Sequence, residues 1–416
     1  MSASDSNRGV NRHFVFLQGM PSPFFTRVAQ GLTAQGYKTT GVNFCAGDSW
    51  VWRGPHRLDY RGRLADWAAF FEAFCQREQI TDLVLLGEQR RYHKEAVAVA
   101  QCIGIRVMVT DFGYLRPDWI TLERDGMSGN SHFPRDINAI KQLAALAPEV
   151  DLSPRYADSF WNMARADLIY SFSNVFLGWL YPHYRRSDNR PPSLIYFPAM
   201  GLRLLRSHLS SEARQQGKRD FLAKKLRYFL FPLQLAHDFQ LVAYSDFAHL
   251  SDAIALVLRS FAAHRDVQDY LVVKVHPWDP GLYNWQRLVK QLAQALDVAD
   301  FVLYLDVDTL DDLIPHAVGM VTVNSTSGVR ALQLGCPVVT LGQAVYDVPG
   351  LTFEHGLDRF WRETAAPEPA LVDAFIRAIV ANIQIRGVFF DEPGLGVAVE
   401  TTVNRLIDMR DLTRAV

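Results

Sequence analysis

Short apolar runs alternate with amphipathic stretches along the first half of the chain. We predict strands within residues 13–19, 38–44, 81–88 and 105–113, because the stretches between these runs have the apolar spacing of helices. Strands separated by helices in this way predict βαβ units and a parallel sheet. In such a sheet, ligands bind beyond the carboxyl ends of the strands.

The alternation resumes in the second half, after a basic segment that is helical in tendency. Helices are expected over residues 248–263 and 283–296, and two more around 369–385 and 396–412 end the chain. The apolar runs between them predict strands at residues 228–235, 240–245, 270–277, 301–306, 318–325 and 337–342.

We therefore predict an α/β protein of the GT-B class, with two Rossmann-like, doubly wound domains facing a cleft. The expected boundaries are 1–200 for the N-terminal domain, 201–228 for a basic helical crossover, 229–380 for the C-terminal domain and 381–416 for helices that pack back across the first domain. The length of 416 residues also favours two cores over one.

Composition and charge exclude several classes of protein. The formal net charge is −1, so the chain has no global field to attract nucleic acid, and we expect no nucleic-acid partner. The four cysteines are scattered without a CxxC pair, which indicates reduced thiols. No signal-peptide pattern opens the sequence and no apolar run approaches the ~20 residues of a spanning helix, so we expect a cytoplasmic protein.

The stretch "LVVKVHPWDP" places a lysine and a histidine where a buried strand ends. Lys274 offers a point charge suited to phosphate, and His276 can hydrogen-bond a phosphate or protonate a leaving group. Pro277 ends the strand and fixes the turn that aims the imidazole. The alternative is a histidine that only satisfies local hydrogen bonds in a strand-end turn.

The stretch "VTVNSTSGVRALQLG" places four polar residues between a strand and a helix. Asn324, Ser325, Thr326 and Ser327 lie where free backbone N–H groups and hydroxyls together form an anion site. Ordinary helix capping is the alternative, although one cap needs only one such residue. With His276, this turn predicts a phosphate clamp between adjacent strand ends.

"PLQLAHDFQL" adds Gln234 and Asp238, four residues apart before a predicted strand. Their side chains could bind a nucleobase or a ribose. They could equally cap local structure, and the sequence leaves both interpretations open.

In the N-terminal half, "VTDFGYLRPDWITLE" follows an apolar strand. Asp111 lies at the strand end and is a candidate general base, with a turn-initiating aspartate as the alternative. Gly113 permits a tight turn, and Arg116, Asp118 and Glu123 follow it.

Two other predicted strands of this half also end in polar residues. Gln18 and Gly19 end the first strand, and Glu88 and Arg90 follow the third. Arg90 could bind an acceptor phosphate, although surface pairing with a glutamate is just as ordinary.

No metal site is expected. Asp306 and Asp308 form a DxD pattern, but the segment leads into a helix that Asp308 or Thr309 would cap. No His/Cys cluster has zinc spacing, and the GxSxG, P-loop and GxGxxG patterns are absent.

Two segments could contact a membrane. Residues 203–227 carry eight Lys/Arg against two acidic residues, and residues 160–186 are aromatic and apolar and end in arginines. A basic surface would be attracted to an anionic leaflet. A solvated helical face and a buried core, respectively, are the alternatives.

Four stretches then follow one another in a distinctive order: "GYLRPDWITLE", "PLQLAHDFQ", "KVHP" and "VNSTSGVRALQLGCPVVTLGQAVYDVPGLT". In this order and spacing they resemble the capsule polysaccharide biosynthesis/export family. The resemblance covers residues 14–355 and is closest to the single-module KpsS type. Members of the KpsS and KpsC types are β-Kdo transferases of Gram-negative capsule assembly.

The resemblance implies a GT-B glycosyltransferase that uses CMP-Kdo (CMP-3-deoxy-D-manno-octulosonate) and no metal or other cofactor. The KpsS type places the first Kdo on lyso-phosphatidylglycerol, so a lipid or glycan acceptor is expected. The same resemblance implies contact with the cytoplasmic face of the inner membrane and with a capsule assembly and export complex.

Roles for individual residues follow from the resemblance. Asp111 and His276 would be catalytic, the N-terminal domain would bind the acceptor and the C-terminal domain the CMP-sugar. The expected donor-binding residues are Lys274, His276, Pro277, Asn324, Ser325, Thr326, Ser327, Gln234 and Asp238. The expected acceptor-binding residues are Gln18, Gly19, Arg90, Gly113, Arg116 and Glu123.

One departure from the family pattern concerns the base. Members carry an acidic pair before the glycine, whereas this chain has Phe112 directly before Gly113. Asp111 would act from one residue earlier, and adjacent side chains of a strand point to opposite faces. Asp118, Glu123 and Glu88 are reserve candidates. Another acceptor, another CMP-sugar or a non-catalytic role in capsule assembly and export therefore remain alternatives.

Overall fold

The computed structural model of the chain describes residues 12–187, 189–307 and 309–408. Residues 1–11, the start of the segment examined for a signal peptide, and Asp308 of the DxD pattern lie outside the described residues.

The elements follow the predicted alternation. The strands are β1 (His13–Phe16), β2 (Lys38–Asn43), β3 (His56–Asp59), β4 (Asp82–Leu86), β5 (Arg106–Phe112), β6 (Trp119–Arg124), β7 (Arg227–Pro232), β8 (Asp269–Lys274), β9 (Val302–Leu305), β10 (Gly319–Thr322), β11 (Val338–Thr340) and β12 (Gln384–Arg386).

The helices are α1 (Phe24–Ala34), α2 (Ala46–Val51), α3 (Trp67–Glu78), α4 (Arg91–Cys102), α5 (Ile137–Leu146), α6 (Phe160–Leu177), α7 (Ser193–Leu209), α8 (Ser211–Ala223), α9 (Phe239–Ala243), α10 (Leu250–His264), α11 (Trp285–Ala295), α12 (Ser327–Gln333), α13 (Leu357–Glu363), α14 (Pro369–Ile383) and α15 (Gly394–Ile407).

The chain divides into two units. Unit 1 comprises residues 1–133, 149–187 and 379–416, and unit 2 comprises residues 134–148 and 188–378. Each is built on a sheet with flanking helices, so the α/β fold class is confirmed.

The sheet of unit 1 has the order β12-β6-β5-β4-β1-β2-β3. The pairs among β5, β4, β1, β2 and β3 are parallel, whereas β6 runs antiparallel to β5 and β12 antiparallel to β6. The strands β3, β6 and β12 were not predicted from the sequence. Because β5, β4 and β1 are parallel neighbours, their carboxyl ends meet at one edge.

The core of unit 1 joins both ends of the chain. Side chains of β1 and α1, such as Phe16 and Val28, belong to the same buried cluster as Phe389 and Val403. The helices α1 and α15 approach closely, because a Cβ on Gly31 would lie 2.8 Å from Val403 Cγ2.

The sheet of unit 2 has the order β11-β10-β7-β8-β9, and all its pairs are parallel. Its buried core includes Phe229, Phe261, Val273 and Trp361. The carboxyl ends of all five strands therefore lie at one edge, as in a doubly wound domain.

One predicted strand is wrong. Residues 240–245 were expected to be extended, but α9 occupies Phe239–Ala243. Asp238 caps this helix by accepting a hydrogen bond from the Gln240 N–H at 3.0 Å. The cap stabilises a helical turn in a segment too short for its periodicity to distinguish helix from strand.

Candidate functional site

In unit 2, the end of β8 presents the histidine predicted from the sequence. His276 is half-buried, and its Nδ1 accepts a hydrogen bond from the Trp278 backbone N–H at 3.1 Å. A backbone N–H only donates, so the neutral ring carries its proton on Nε2. The turn formed by Pro277 and Trp278 therefore fixes both the orientation and the tautomer of the imidazole.

Lys274 is the last residue of β8 and is buried. Its Nζ donates a hydrogen bond to the Val275 carbonyl at 3.1 Å, and its positive charge helps to lower the pKa of Asp306. Any bond to a donor phosphate stays a prediction.

A cationic cluster that was not predicted from the sequence surrounds Asp306. Arg203 of α7 donates two hydrogen bonds to the Asp306 carboxylate, both at 2.6 Å, and Arg214 Nη1 lies 3.5 Å away. Burial alone would raise the pKa of Asp306, but the hydrogen bonds and charge of Arg203, with the charges of Arg214 and Lys274, lower it. No local signal could have revealed a pair separated by 103 positions.

Gln234 and Asn324 bind each other at the ends of β7 and β10. Gln234 Nε2 donates to Asn324 Oδ1 at 2.9 Å, and Asn324 Nδ2 donates to the Gln240 carbonyl at 2.9 Å. Asp238 accepts from Gln234 Nε2 at 3.2 Å while it caps α9. These bonds support the capping alternative for Asp238, and a role in nucleotide binding stays a prediction.

The predicted clamp between adjacent strand ends needs correction. His276 follows β8 and Ser325 follows β10, but β7 lies between these strands. Neighbouring strands are about 4.8 Å apart, so the two strand ends are separated by roughly twice that distance. The Gln234–Asn324 pair occupies the intervening position.

The polar turn before α12 is internally hydrogen-bonded. Ser327 Oγ donates to Ser325 Oγ at 2.9 Å, and the Ser327 N–H donates to the same oxygen at 3.2 Å. Thr326 is the N-cap residue but makes no side-chain capping bond. Ser325, Thr326 and Ser327 are partly accessible, so their donor-binding role stays a prediction.

In unit 1, the ends of β4 and β5 bring Asp111 and Arg90 together. A Cβ atom placed on Gly87 would lie 3.9 Å from Asp111 Oδ2 and 3.8 Å from Arg90 Nε. Asp111 Oδ1 accepts the Phe112 N–H at 2.7 Å, and the side chain is half-buried. A half-buried carboxylate at a strand end can hold a hydroxyl group and accept its proton.

Phe112 is a packing residue. Its ring meets Phe389 edge to face at a centroid distance of 5.2 Å, and the Arg116 guanidinium lies over it at 4.7 Å. Gly113 is required by close packing, since a Cβ there would lie 2.5 Å from the Trp119 carbonyl.

Two of the reserve candidates for the base are bonded within the fold. Asp118 is fully buried, accepts the Arg155 N–H at 2.7 Å and pairs with Arg386 at 3.0 Å. Glu88 is buried and accepts from Asn130 Nδ2 at 3.0 Å.

Glu123, the third reserve candidate and also a predicted acceptor contact, lies within β6. It accepts hydrogen bonds from the hydroxyls of Tyr114 and Ser131. Burial raises its pKa to about 8, with a smaller contribution from the charge of Glu88, although both hydroxyls oppose the shift.

We expect the free energy of unfolding to fall, relative to a Glu123→Gln variant, as the pH rises from about 4.5 to about 8. The unfolded chain releases this proton near 4.5 and the folded chain near 8, so the folded state binds more protons between these values. The stabilisation by the protonated Glu123 carboxyl is fully present below pH 4.5 and is lost as the pH rises through about 8. Glutamine mimics the neutral carboxyl and cannot ionise.

Urea unfolding of both proteins at several pH values checks this, with Glu95→Gln on the exposed face of α4 as the control. Parallel stability curves for the wild type and Glu123→Gln would contradict the expectation.

Gln18 belongs to a buried network at the end of β1. Its Nε2 donates to Asp48 Oδ1 at 2.9 Å and to the Tyr170 hydroxyl at 2.6 Å. This network fastens α6 to α2, which gives Gln18 a structural role. Gly19 lies against Phe25, since a Cβ there would be 2.6 Å from the ring. Acceptor contacts of Gln18 and Gly19 stay predictions.

Within the described ranges 12–187, 189–307 and 309–408, no group of three or more His, Cys, Asp or Glu side chains is arranged to hold a metal ion. No helix of this part of the chain combines the length and apolarity needed to cross a membrane.

Comparison with known proteins places the chain in a family. The chain is 27% identical to the capsule polysaccharide export protein KpsS of Escherichia coli, over 91% of this chain and 97% of the relative. It is 30% identical to the capsule polysaccharide modification protein LipB of Neisseria meningitidis serogroup B, over 91% and 92% of the two chains.

A solved structure, the β-Kdo 2,7 transferase KpsC of Thermosulfurimonas dismutans, aligns over 96% of this chain and 99% of its own at 14% identity, with a TM-score of 0.46. Residues 81–390 match the family described as capsule polysaccharide biosynthesis protein. This match and the identity with LipB show that the chain belongs to the capsule polysaccharide biosynthesis protein family.

Proposed function

We propose that the chain is a glycosyltransferase of capsule polysaccharide biosynthesis. It transfers Kdo from CMP-Kdo to a lyso-phosphatidylglycerol-type lipid or linker acceptor, with inversion and without a metal ion. Family membership supports a role in capsule synthesis, and the resemblance of the motifs to KpsS-type transferases supports the choice of donor and acceptor.

The observation that carries the proposal is the geometry of His276. Its Nδ1 accepts the Trp278 N–H, so the neutral ring carries its proton on Nε2, just beyond the carboxyl end of β8. A fixed donor at this edge suits the phosphate of a nucleotide sugar.

The reaction assigns one role to each unit. In unit 1, Asp111 accepts the proton of the acceptor hydroxyl while the oxygen of that hydroxyl bonds to the anomeric carbon of Kdo. In unit 2, His276 donates a hydrogen bond to the departing CMP, and Lys274 adds positive charge. The bond from the anomeric carbon to the phosphate oxygen breaks through an oxocarbenium-like state, as in other glycosyl transfers.

The charges of unit 2 support a mechanism without a metal ion. A nucleoside monophosphate leaving group carries less charge than a diphosphate, so side-chain donors can stabilise it. Asp306, the first residue of the DxD pattern, is engaged by Arg203 through two hydrogen bonds of 2.6 Å.

The direct test is transfer from CMP-Kdo to a fluorescent lyso-phosphatidylglycerol, with the donor formed enzymatically immediately beforehand and EDTA added to half of the reactions only after it has formed. Mass spectrometry should detect one added Kdo in both cases. Transfer that EDTA abolishes would contradict the metal-independent step. Transfer to other acceptors or from other CMP-sugars alone would correct the substrates and keep the class of enzyme.

A second candidate is a non-catalytic assembly or export protein that retains the fold for binding. The packing of Phe112 against Phe389 favours it, because this position holds an acid in the family pattern. CMP binding by thermal shift, without turnover of any acceptor, would be its signature.

We propose that unit 1 contacts the cytoplasmic face of the inner membrane through α6 and the turn that follows. Trp161, Phe176 and Trp179 are 74%, 70% and 73% exposed. Exposed Arg185 and Arg186 lie just beyond them, which suits an anionic lipid surface.

The basic crossover supports membrane contact less well. At least four of its eight basic residues pair with carboxylates of unit 2. These pairs are Arg203 and Arg214 with Asp306, Lys218 with Asp312, and Arg227 with Asp269.

A Phe176→Ser, Trp179→Ser double variant should therefore lose most of its sedimentation with phosphatidylglycerol vesicles. Removing two exposed apolar groups removes the area that enters the interface. Trp50→Ser, at another exposed tryptophan of unit 1, is the control. Unchanged sedimentation of the double variant would contradict membrane contact. A dimeric wild type together with a monomeric double variant would contradict it too.

A further inference from the structure

Unit 1 contains a groove that the site described above does not use. It has a volume of about 510 Å³ and runs between α4 and residues 125–132. Its lining includes Glu88, which directly follows Gly87 at the end of β4, and Gln101 in the last turn of α4. This volume is comparable to that of known small-molecule sites.

Hydrogen bonds to buried carboxyl groups hold the wall formed by residues 125–132 in place. Asn130 Nδ2 donates to Glu88 Oε1 at 3.0 Å, and Ser131 Oγ donates to the buried carboxyl of Glu123. The Ser131 hydroxyl also accepts the Phe133 N–H at 3.1 Å. These bonds fix the polar side chains of this wall before any ligand arrives, which lowers the ordering cost of binding.

The lining is polar almost throughout. Carboxylates, amides, a lysine and a histidine surround the groove, and Val97 and Ala98 are its two apolar side chains. This mixture of hydrogen-bond donors and acceptors suits hydroxyl groups, which donate and accept at once. An acyl chain would leave these groups without hydrogen bonds, which is costly, so the lining disfavours the lipid tail itself.

The residue that precedes Glu88 of the groove lies close to the proposed base. The Cβ position of Gly87 lies 3.9 Å from Asp111 Oδ2, and Glu88 of the groove is the next residue along the chain. An acceptor whose reacting hydroxyl lies against Asp111 can extend from there along α4.

We propose that this groove binds the polyhydroxylated part of the acceptor, either the glycerol of a lipid headgroup or the sugar units of a growing glycan. The inference rests on the proposed glycosyl transfer and extends it by naming where the non-reacting hydroxyls are held. Amides and carboxylates on the two walls would orient the acceptor, so that one hydroxyl faces Asp111.

Filling the groove tests the inference without altering a group placed in the catalytic machinery. Ala98→Trp adds a large side chain to the exposed wall on α4, and Glu95→Trp adds the same side chain to α4 outside the lining. We expect Ala98→Trp to raise the acceptor KM at least about tenfold, with the donor KM unchanged. Glu95→Trp should match the wild type.

Two acceptors distinguish the two sources of hydroxyls. If Ala98→Trp raises the KM for fluorescent lyso-phosphatidylglycerol, the groove binds a lipid headgroup. If it raises the KM for a soluble Kdo-terminated oligosaccharide, the groove binds a glycan. An Ala98→Trp variant with wild-type KM values for every acceptor that is used would overturn the inference.

Failure of the proposed function remains distinguishable from failure of this inference. If the wild type transfers no sugar, calorimetric titration with the same two compounds replaces the kinetic assay. Binding to the wild type and to Glu95→Trp that Ala98→Trp loses would support the groove as a polyol site without catalysis. Binding to neither compound, or equal binding by all three proteins, would overturn it.

Discussion

Replacing Asp111 with asparagine should lower kcat by about 10²–10⁴-fold, the usual contribution of a general base, while CMP affinity stays unchanged. Asparagine has nearly the same shape and keeps an oxygen for the Phe112 N–H, which Asp111 Oδ1 accepts at 2.7 Å. It cannot take up a proton. The loss should therefore appear in the chemical step, and thermal unfolding should change little.

The reserve carboxylates provide the controls for this experiment. Asp118→Asn should lower stability more than activity, because Asp118 accepts the Arg155 N–H and pairs with Arg386 in a buried site. Glu88→Gln tests the carboxylate at the neighbouring strand end. An Asp111→Asn enzyme with wild-type kcat, beside an inactive Glu88→Gln enzyme, would transfer the role of base to Glu88.

The fold was largely predictable because its strands are short, apolar and separated by amphipathic helices. Parallel strands buried on both faces produce continuous apolar runs, and the residue after each run falls at the ligand-binding edge. That reasoning located Asp111 at the end of β5 and His276 just beyond β8.

Strands at the edge of unit 1 were not predictable in the same way. The strand β12 has three residues, and it pairs with β6 across more than 250 positions of sequence, with Gln384 opposite Thr121. A run of three residues is too short for periodicity to identify, and its partner is set by tertiary packing.

Site chemistry was harder to predict, because polar residues at strand ends have two uses. Gln18, Gln234 and Asn324 all have side chains suited to a ligand, yet each bonds to another buried group. Buried polar groups must be satisfied, and a distant side chain satisfies them as well as a ligand does. The Arg203–Asp306 pair shows a second difficulty, since neither the DxD pattern nor the basic segment indicated that these two residues bind each other.

Substitutions of His276 should separate the two roles that the sequence left open for it. His276→Asn should lower kcat by about 10²–10³-fold, the loss expected when one preorganised donor to a developing charge is removed. His276→Gln should retain clearly more activity. Asparagine places its amide near the position of Nδ1, where it can accept the Trp278 N–H, whereas the longer glutamine can place an N–H near Nε2.

This order of activities follows from the tautomer. An imidazolium would carry a proton on Nδ1, directly facing the Trp278 N–H at 3.1 Å, and the turn would lose that hydrogen bond. The geometry thus favours a neutral ring that stabilises the CMP phosphate through Nε2–H over a general acid. Steady-state rates and pH–rate profiles of the wild type and both variants check this. Equal inactivity of the two variants, with loss of a basic limb present in the wild-type profile, would instead make His276 the acid that protonates the leaving group.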